Sequence, residues 1–146
     1  KEDFNTSIRP LGNLGFGADS LSCGKLYCSY YVIFGDRRDC TFFINNNTDY
    51  NVFKNFVCLE IDSWPSVDFE KNTILAGIRI MGASCSRLIP EKFSLTKNNA
   101  NYKIVIAIRW GAFWSLHYVF YWVLTDKIRA ESHVEFLIEE YDVPHN

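Results

Sequence analysis

The sequence predicts an all-β fold, a single β-sandwich of about eight antiparallel strands. The most apolar part of the chain forms two consecutive β-like runs in which β-branched and aromatic residues dominate. Shorter runs of strand-like residues recur along the chain at the spacing typical of a sandwich or barrel, with turn residues between them. Hydrophobic residues make up 48% of the 146 residues and aromatic residues 16%, a composition that excludes general disorder and can supply a proper core.

The two most apolar runs lie at 102–124 (YKIVIAIRWGAFWSLHYVFYWVL) and are separated by a short turn. Side chains alternate along a strand, so Ile104 and Ile106 share one face. The opposite face of each run is largely apolar as well. We therefore expect both faces to be at least partly buried, by a second sheet, a helix layer or a neighbouring subunit. A membrane helix needs about 20 uninterrupted apolar residues, and Lys103 and Arg109 interrupt this stretch, so no membrane span is predicted.

The remaining elements follow from periodicity and turn residues. Residues 1–19 contain Pro10 and three glycines without a sustained period, and are predicted to form an irregular N-terminal arm before a single domain at 20–146. The run at 49–55 fits a short helix or turn. Strands are predicted at 21–34, 40–44, 56–62, 73–81, 93–95, 102–110, 116–124 and 133–138.

Charge and cysteine content limit the classes of partner. The formal net charge is -2 at pH 7, and no run of Lys or Arg occurs, so nothing within the chain predicts a nucleic-acid arm or a polybasic membrane patch. The five cysteines, an odd number, argue against a complete disulfide framework and predict reduced, buried thiols. The chain begins at Lys1, which is compatible with a cleaved signal peptide or with a missing flexible arm.

Candidate catalytic chemistry is sparse. The three histidines, at 117, 133 and 145, have no metal-ligand spacing. If their strands are adjacent, His117 and His133 would lie side by side with Glu135 nearby, as a metal or acid–base site requires. Cys40 or Cys58 could likewise form a nucleophile pair with His117. No sequence motif indicates either arrangement. We therefore predict no enzyme, no metal and no cofactor, and rank an enzyme on a β scaffold as the least favoured function.

The turn between the two apolar runs is the strongest candidate for an interface. Arg109 and Trp110 precede it, and Phe113 and Trp114 follow. Arginine and tryptophan are the residue types that most often anchor protein interfaces. A small core has difficulty covering so many aromatic side chains at one turn, so an exposed tip that a partner covers is weighed equally with simple core packing.

Several segments together give a resemblance at the level of strand pattern. They are the Pro/Gly arm IRPLG at 8–12, the long first strand at 21–34, and the closing strands YKIVIAIRW, HYVFYWVL and HVEFLI. This pattern resembles the single jelly-roll coat proteins of very small, satellite-like viruses. The resemblance covers most of the chain as an order of strands, and no motif is shared at the level of residue identity.

The resemblance implies a structural subunit that assembles with copies of itself into a capsid, located in the virion. In such coat proteins a basic segment before the shell domain neutralises the packaged nucleic acid, and here that segment would lie upstream of Lys1. The resemblance also implies candidate positions that face the nucleic acid. These are Arg9, Lys25, Arg37 and Arg38.

A second function class stays open beside the capsid interpretation. Aromatic strand faces would be able to line a cavity, giving a secreted β-sandwich or calyx domain that binds an apolar ligand. The start at Lys1, the cysteines and two glycosylation sequons fit secretion, whereas the odd cysteine count does not. A homo-oligomer of many copies would favour the capsid, and a monomer with bound lipid would favour the calyx.

Overall fold

The computed structural model describes residues 4–18, 39–57, 61, 63–84 and 86–142. In chain order the strands are β1 (Phe4–Asn5), β2 (Ile8–Arg9), β3 (Gly17–Ala18), β4 (Asp39–Ile44), β5 (Asn72–Ser84), β6 (Arg87–Leu88), β7 (Ser94–Asn98), β8 (Asn101–Arg109), β9 (Phe113–Asp126) and β10 (His133–Tyr141). Helix α1 (Asn47–Phe56) follows β4, and short 3-10 turns lie at Gly12–Leu14 and Pro90–Lys92.

The strands form two sheets. The outer sheet has the order β1-β7-β8-β10, with β6 also paired to β8. The central sheet has the order β2-β9-β5-β4, with β3 also paired to β9. The predicted mostly-β sandwich is confirmed.

One strand pair departs from the predicted antiparallel arrangement. Strands β8 and β10 are parallel, with His133 opposite Asn101 and Tyr141 opposite Arg109, whereas the other described pairs are antiparallel. Parallel neighbours need a connection that crosses over. Here β9 supplies it, because the chain leaves the outer sheet after β8, runs through the central sheet and returns beside β8 in the same direction.

The central sheet is buried on both faces, as the apolar run predicted. On one face of β9, Val119, Tyr121 and Val123 lie in a core shared with the outer sheet. On the other face, Phe120 and Trp122 belong to a second core with α1. A second sheet and a helix layer therefore each cover one face, two of the three coverings that the sequence allowed.

Helix α1 begins at a side-chain cap and contributes an aromatic cluster to the second core. The Asn46 side chain accepts a 2.8 Å hydrogen bond from the Asp49 backbone N–H. Tyr50 and Phe53 are buried beneath Trp64, whose ring lies 5.5 Å from that of Trp122 in an edge-to-face contact. These aromatic side chains are thus packed within the chain itself.

Two predicted elements need correction, and a third lies outside the described residues. The strand predicted at 56–62 is wrong in its described part, because Phe56 ends α1 and residues 57 and 61 are outside any strand. The arm predicted as irregular contains β1, β2 and β3, which pair with β7 and β9. The predicted strand at 21–34 falls outside the described residues.

Buried hydrogen bonds join the start of β5 to the loop before α1 and to the start of the β9–β10 connection. The Thr73 hydroxyl donates to Asn45 Oδ1 at 2.5 Å and accepts from the Ile128 backbone N–H at 2.9 Å. Asn45 Nδ2 in turn donates to the Ile128 carbonyl at 2.8 Å. Because Thr73 is fully buried, these bonds offset the cost of removing its hydroxyl from water.

Gly77 in β5 makes room for the ring of Tyr121 on the neighbouring strand β9. The two residues are directly opposite in the register. A Cβ at position 77 would lie 2.2 Å from Tyr121 Oη and 2.4 Å from its Cζ. Such distances are too short for non-bonded atoms, so the large ring of Tyr121 depends on the glycine opposite.

We expect Gly77→Ala to lower the free energy of unfolding by about 1–3 kcal/mol, because the added methyl group overpacks the inter-sheet core. Urea denaturation followed by circular dichroism measures the loss. In a Tyr121→Leu background the same substitution should cost less, since the smaller side chain removes the contacts to the ring and leaves only the one to the Cys40 carbonyl, at 2.7 Å. An equal cost in both backgrounds would contradict the role given to the Tyr121 ring.

Burial raises the pKa of Tyr50 to about 12, while its hydroxyl donates a 2.8 Å hydrogen bond to the Pro65 carbonyl. The unfolded chain loses this proton near the ordinary pKa of about 10, so stability is fully present below pH 10 and falls as the pH rises towards 12. Between these pH values wild type should lose roughly 2 kcal/mol more than Tyr50→Phe, measured by urea denaturation across the alkaline range. Equal losses would contradict the burial of the Tyr50 phenol.

Candidate functional site

The residues predicted to form an interface lie where the chain passes between the two sheets. Arg109 ends β8 and Trp110 follows it, and both are partly buried. Phe113 and Trp114 begin β9, where their backbones are opposite Ser84 and Ala83 of β5. The four positions are therefore brought to one end of the sandwich, and their role as an interface stays a prediction.

An ion pair, which the sequence did not signal, joins the two sheets at this end. Glu140 in β10 accepts hydrogen bonds from Arg79 in β5, with Nε 3.1 Å from Oε2, and from Trp110 Nε1 at 2.8 Å. The Arg79 and Glu140 side chains are 17% and 23% exposed. Trp110 is thereby fixed to the chain's own structure, and Glu140 holds the outer sheet to the central sheet.

Of the basic residues predicted to face nucleic acid, the described part of the chain includes Arg9. Its guanidinium donates hydrogen bonds to Asp126 Oδ1 at 3.1 Å and to Asn72 Oδ1 at 2.7 Å. Arg9 therefore links β2 to the end of β9 and the start of β5. The other predicted positions, Lys25, Arg37 and Arg38, lie outside the described residues.

The histidine arrangement that the sequence allowed does not form. His117 is in β9 of the central sheet, where its backbone is opposite Met81, whereas His133 begins β10 of the outer sheet. The two residues thus belong to different layers instead of adjacent strands. Among the described residues, no group of three or more His, Cys, Asp and Glu side chains is placed to hold a metal ion. Cys40 is partly buried in β4.

A polar groove lies on the outer sheet, across the ends of β7, β8 and β10. The strand register arranges its side chains in two rows of three. One row is Thr96, Lys103 and Glu135, and the other is Asn98, Asn101 and His133. Together with Tyr102 they line an open volume of about 400 Å³. We call this feature the polar groove.

Local sequence places these side chains on one face. Asn101 and Lys103 are exposed and alternate with Tyr102 and Ile104, which are buried in the inter-sheet core. The hairpin between β7 and β8 turns at Asn99, whose φ of 58° is a left-handed conformation that asparagine tolerates well. This tight turn fixes Asn98 opposite Asn101.

The hydrogen-bonding groups of the six side chains in the two rows are available to a ligand. Within the described residues none of them makes a hydrogen bond or an ion pair with another side chain, although Lys103 and Glu135 are directly opposite in the register. One cation and one carboxylate leave the groove close to neutral when His133 is uncharged. The arrangement offers many hydrogen-bond donors and acceptors on an open surface and is suited to binding a polar ligand.

Sequence reasoning singled out His133 and Glu135 but missed the rest of the groove. The alternation of polar and apolar residues in β8 is visible in the sequence. The signal that would have found the groove is the strand order, because only the neighbourhood of β7, β8 and β10 brings the two rows together.

Comparison with known proteins identifies no relative. No protein-family model matches the sequence, no curated protein matches it, and no solved structure matches the fold. In the part of the chain that the structure describes, no helix has the length and apolar character needed to cross a membrane.

We expect Glu140→Ala to lower the free energy of unfolding by about 1–3 kcal/mol, because it removes the acceptor shared by Arg79 and Trp110 from a partly buried position. Thermal or urea denaturation measures the change. Glu70→Ala is the matched control, since Glu70 is exposed in the turn before β5, away from the contact between the sheets, and it should change stability by less than about 0.5 kcal/mol. Equal effects of the two substitutions would contradict the inter-sheet role of Glu140.

Proposed function

We propose that the chain is a non-catalytic structural protein that assembles with copies of itself, and that copies join through the edge of β10. The observation that carries this proposal is the open side of that strand. β10 has nine residues, and within the described part of the chain it pairs on one side only, with β8. An open edge offers backbone N–H and C=O groups to another strand.

The side chains of β10 support a second copy as the occupant of this edge. Val134, Phe136 and Ile138 pack against the inter-sheet core but are only partly buried. A strand added beside β10 would cover them further, which is favourable for apolar side chains. Two copies joined in this way would extend the outer sheet across a two-fold axis, the commonest symmetry of protein assemblies.

Charge distinguishes two registers with an axis near the middle of β10. A two-fold axis at Leu137 would set Glu135 directly against Glu139 of the second copy, and two opposed carboxylates destabilise a strand pair. An axis at Phe136 instead sets His133 against Glu139 of the second copy and Glu135 against its Leu137. Because this register opposes no like charges, we propose it for the dimer.

A viral shell is the larger form of this proposal, with localisation in the virion. It requires further contacts between dimers, for which the turn with Arg109, Trp110, Phe113 and Trp114 is our candidate. The strand pattern supports the shell, and the sandwich is compatible with it. Arg9 is engaged by Asp126 and Asn72, so we assign contact with a packaged nucleic acid to positions outside the described residues, including any segment upstream of Lys1.

The alternative of a domain that binds an apolar ligand receives less support. Among the described residues, the polar groove is open and lined mostly by polar side chains, unlike the apolar cavities that hold lipids. The aromatic side chains of the second core pack against each other around Trp122. We therefore place self-assembly before ligand storage.

The proposal predicts a native mass larger than one chain, measured by size exclusion coupled to light scattering. Leu137→Glu should weaken the contact roughly tenfold, because each of the two symmetric positions then opposes the Glu135 carboxylate of the other copy. Leu137→Lys is the matched control and should retain the contact, since a lysine opposite Glu135 is attractive.

A monomeric wild type across the accessible concentration range would overturn assembly by this chain. Equal weakening by both Leu137 substitutions would indicate a different register or a different surface.

A further inference from the structure

We infer that the polar groove is a binding site for an uncharged, polyhydroxylated ligand, namely a saccharide. This inference goes beyond the proposed self-assembly and does not depend on it. It rests on two rows of polar side chains that bond to no other described side chain and that β7, β8 and β10 place around one open volume.

The groove contains matched donors and acceptors. Asn98 and Asn101 each carry an amide that donates through nitrogen and accepts through oxygen, and they are adjacent across the β7–β8 hairpin. Lys103 donates, Glu135 accepts, and Thr96 does both. Each hydroxyl of a sugar also donates and accepts, so neighbouring hydroxyls of one ring can bond to adjacent members of the two rows.

The spacing of the rows fits a compact ligand lying across the strands. Neighbouring strands are about 4.8 Å apart, and alternate residues along one strand are about 7 Å apart. The rows therefore offer hydrogen-bonding groups over an area about 10 Å by 7 Å. Tyr102 also belongs to the lining, but it is almost completely buried, so the hydrogen-bonding groups of the two rows make up most of the contact surface.

The charge of the groove disfavours other classes of ligand. A phosphate or a nucleic acid would bring negative charge to Glu135, and Lys103 is the single lysine or arginine of the lining. An apolar ligand would remove the six polar side chains from water without replacing their hydrogen bonds. A peptide strand is better accommodated at the open edge of β10 than on the face of the sheet, because its backbone needs edge partners.

The experiment is a titration of the isotopically labelled wild-type chain with soluble neutral oligosaccharides built of glucose, mannose, galactose or xylose, followed by NMR chemical shifts. Native mass is recorded in the same samples, so that binding and assembly are read separately. We expect at least one of these oligosaccharides to shift the backbone signals of Asn98, Asn101, Lys103 and His133. Shifts confined to other regions, or no shift at millimolar oligosaccharide, would overturn the inference.

Asn101→Ala is the decisive variant. It removes the central amide of one row from β8, away from the β10 edge, and should weaken saccharide binding roughly tenfold while leaving the native mass unchanged. Glu135→Gln should weaken binding similarly, and Glu131→Gln is its matched control, because Glu131 is exposed outside the groove and pairs with Arg129. Binding that survives both Asn101→Ala and Glu135→Gln would place the site elsewhere and overturn the assignment.

Two competitors, one charged and one uncharged, separate the saccharide from other polar ligands. Inorganic phosphate and a short uncharged peptide should produce no shifts at the groove at concentrations where the oligosaccharide does. Displacement of the oligosaccharide by either probe would contradict recognition of sugar hydroxyls.

Discussion

The requirement to cover β9 on both faces determines the rest of the structure. Its consecutive residues from Tyr118 to Val123 are all nearly or fully buried. Fully burying one such large side chain is worth about 1.5–3 kcal/mol, so leaving either face in water would cost a large part of the stability of a domain. The outer sheet covers one face, and α1 with Trp64 covers the other. The ring of Tyr121 in β9 also limits the neighbouring strand, because it occupies the position where a side chain at Gly77 of β5 would lie. The positions of α1 and the outer sheet and the glycine at position 77 are thus all determined by the side chains of β9.

Sequence reasoning succeeded where a local pattern determines the structure. The apolar character of both faces of 102–124 predicted the two coverings of β9, although β8 leaves Lys103 exposed on its outer face. The run at 49–55 predicted a short helix or turn, and helix α1 is present there. It failed where competing periods overlap, as at Phe56, which fits a strand in the sequence but closes the helix that buries Phe53. It also failed where the structure depends on which strands become neighbours. The parallel pairing of β10 with β8, the Arg79–Glu140 pair and the two rows of the polar groove all follow from strand order, and no residue in any single segment signals that order.

β10 contacts the inter-sheet core with one face, lines the polar groove with the other, and has an edge that no other described strand covers. Its inner row, Val134, Phe136 and Ile138, packs against the inter-sheet core, while its outer row contributes His133 and Glu135 to the polar groove. Its second edge, which pairs with no other described strand, is the surface through which we propose that copies join. Because His133 belongs to the groove and is also opposite Glu139 of a second copy in the proposed register, ligand binding and assembly would share one side chain. The two functions would then influence each other reciprocally, as linked equilibria require.

The short N-terminal strands have a consequence for how the protein is made. During translation β1 and β2 emerge early, yet they pair with β7 and β9, and Arg9 reaches Asp126 across 117 residues of sequence. They can take their places only after β7 and β9 have left the ribosome. Contacts between such distant segments form slowly, because closing the long loop costs conformational entropy before the contacts can stabilise the chain. Until then one edge of β9, the most apolar strand, lacks its cover and is open to association with other nascent chains. A partly synthesised chain therefore carries an association-prone strand edge until β2 and β3 have paired with β9.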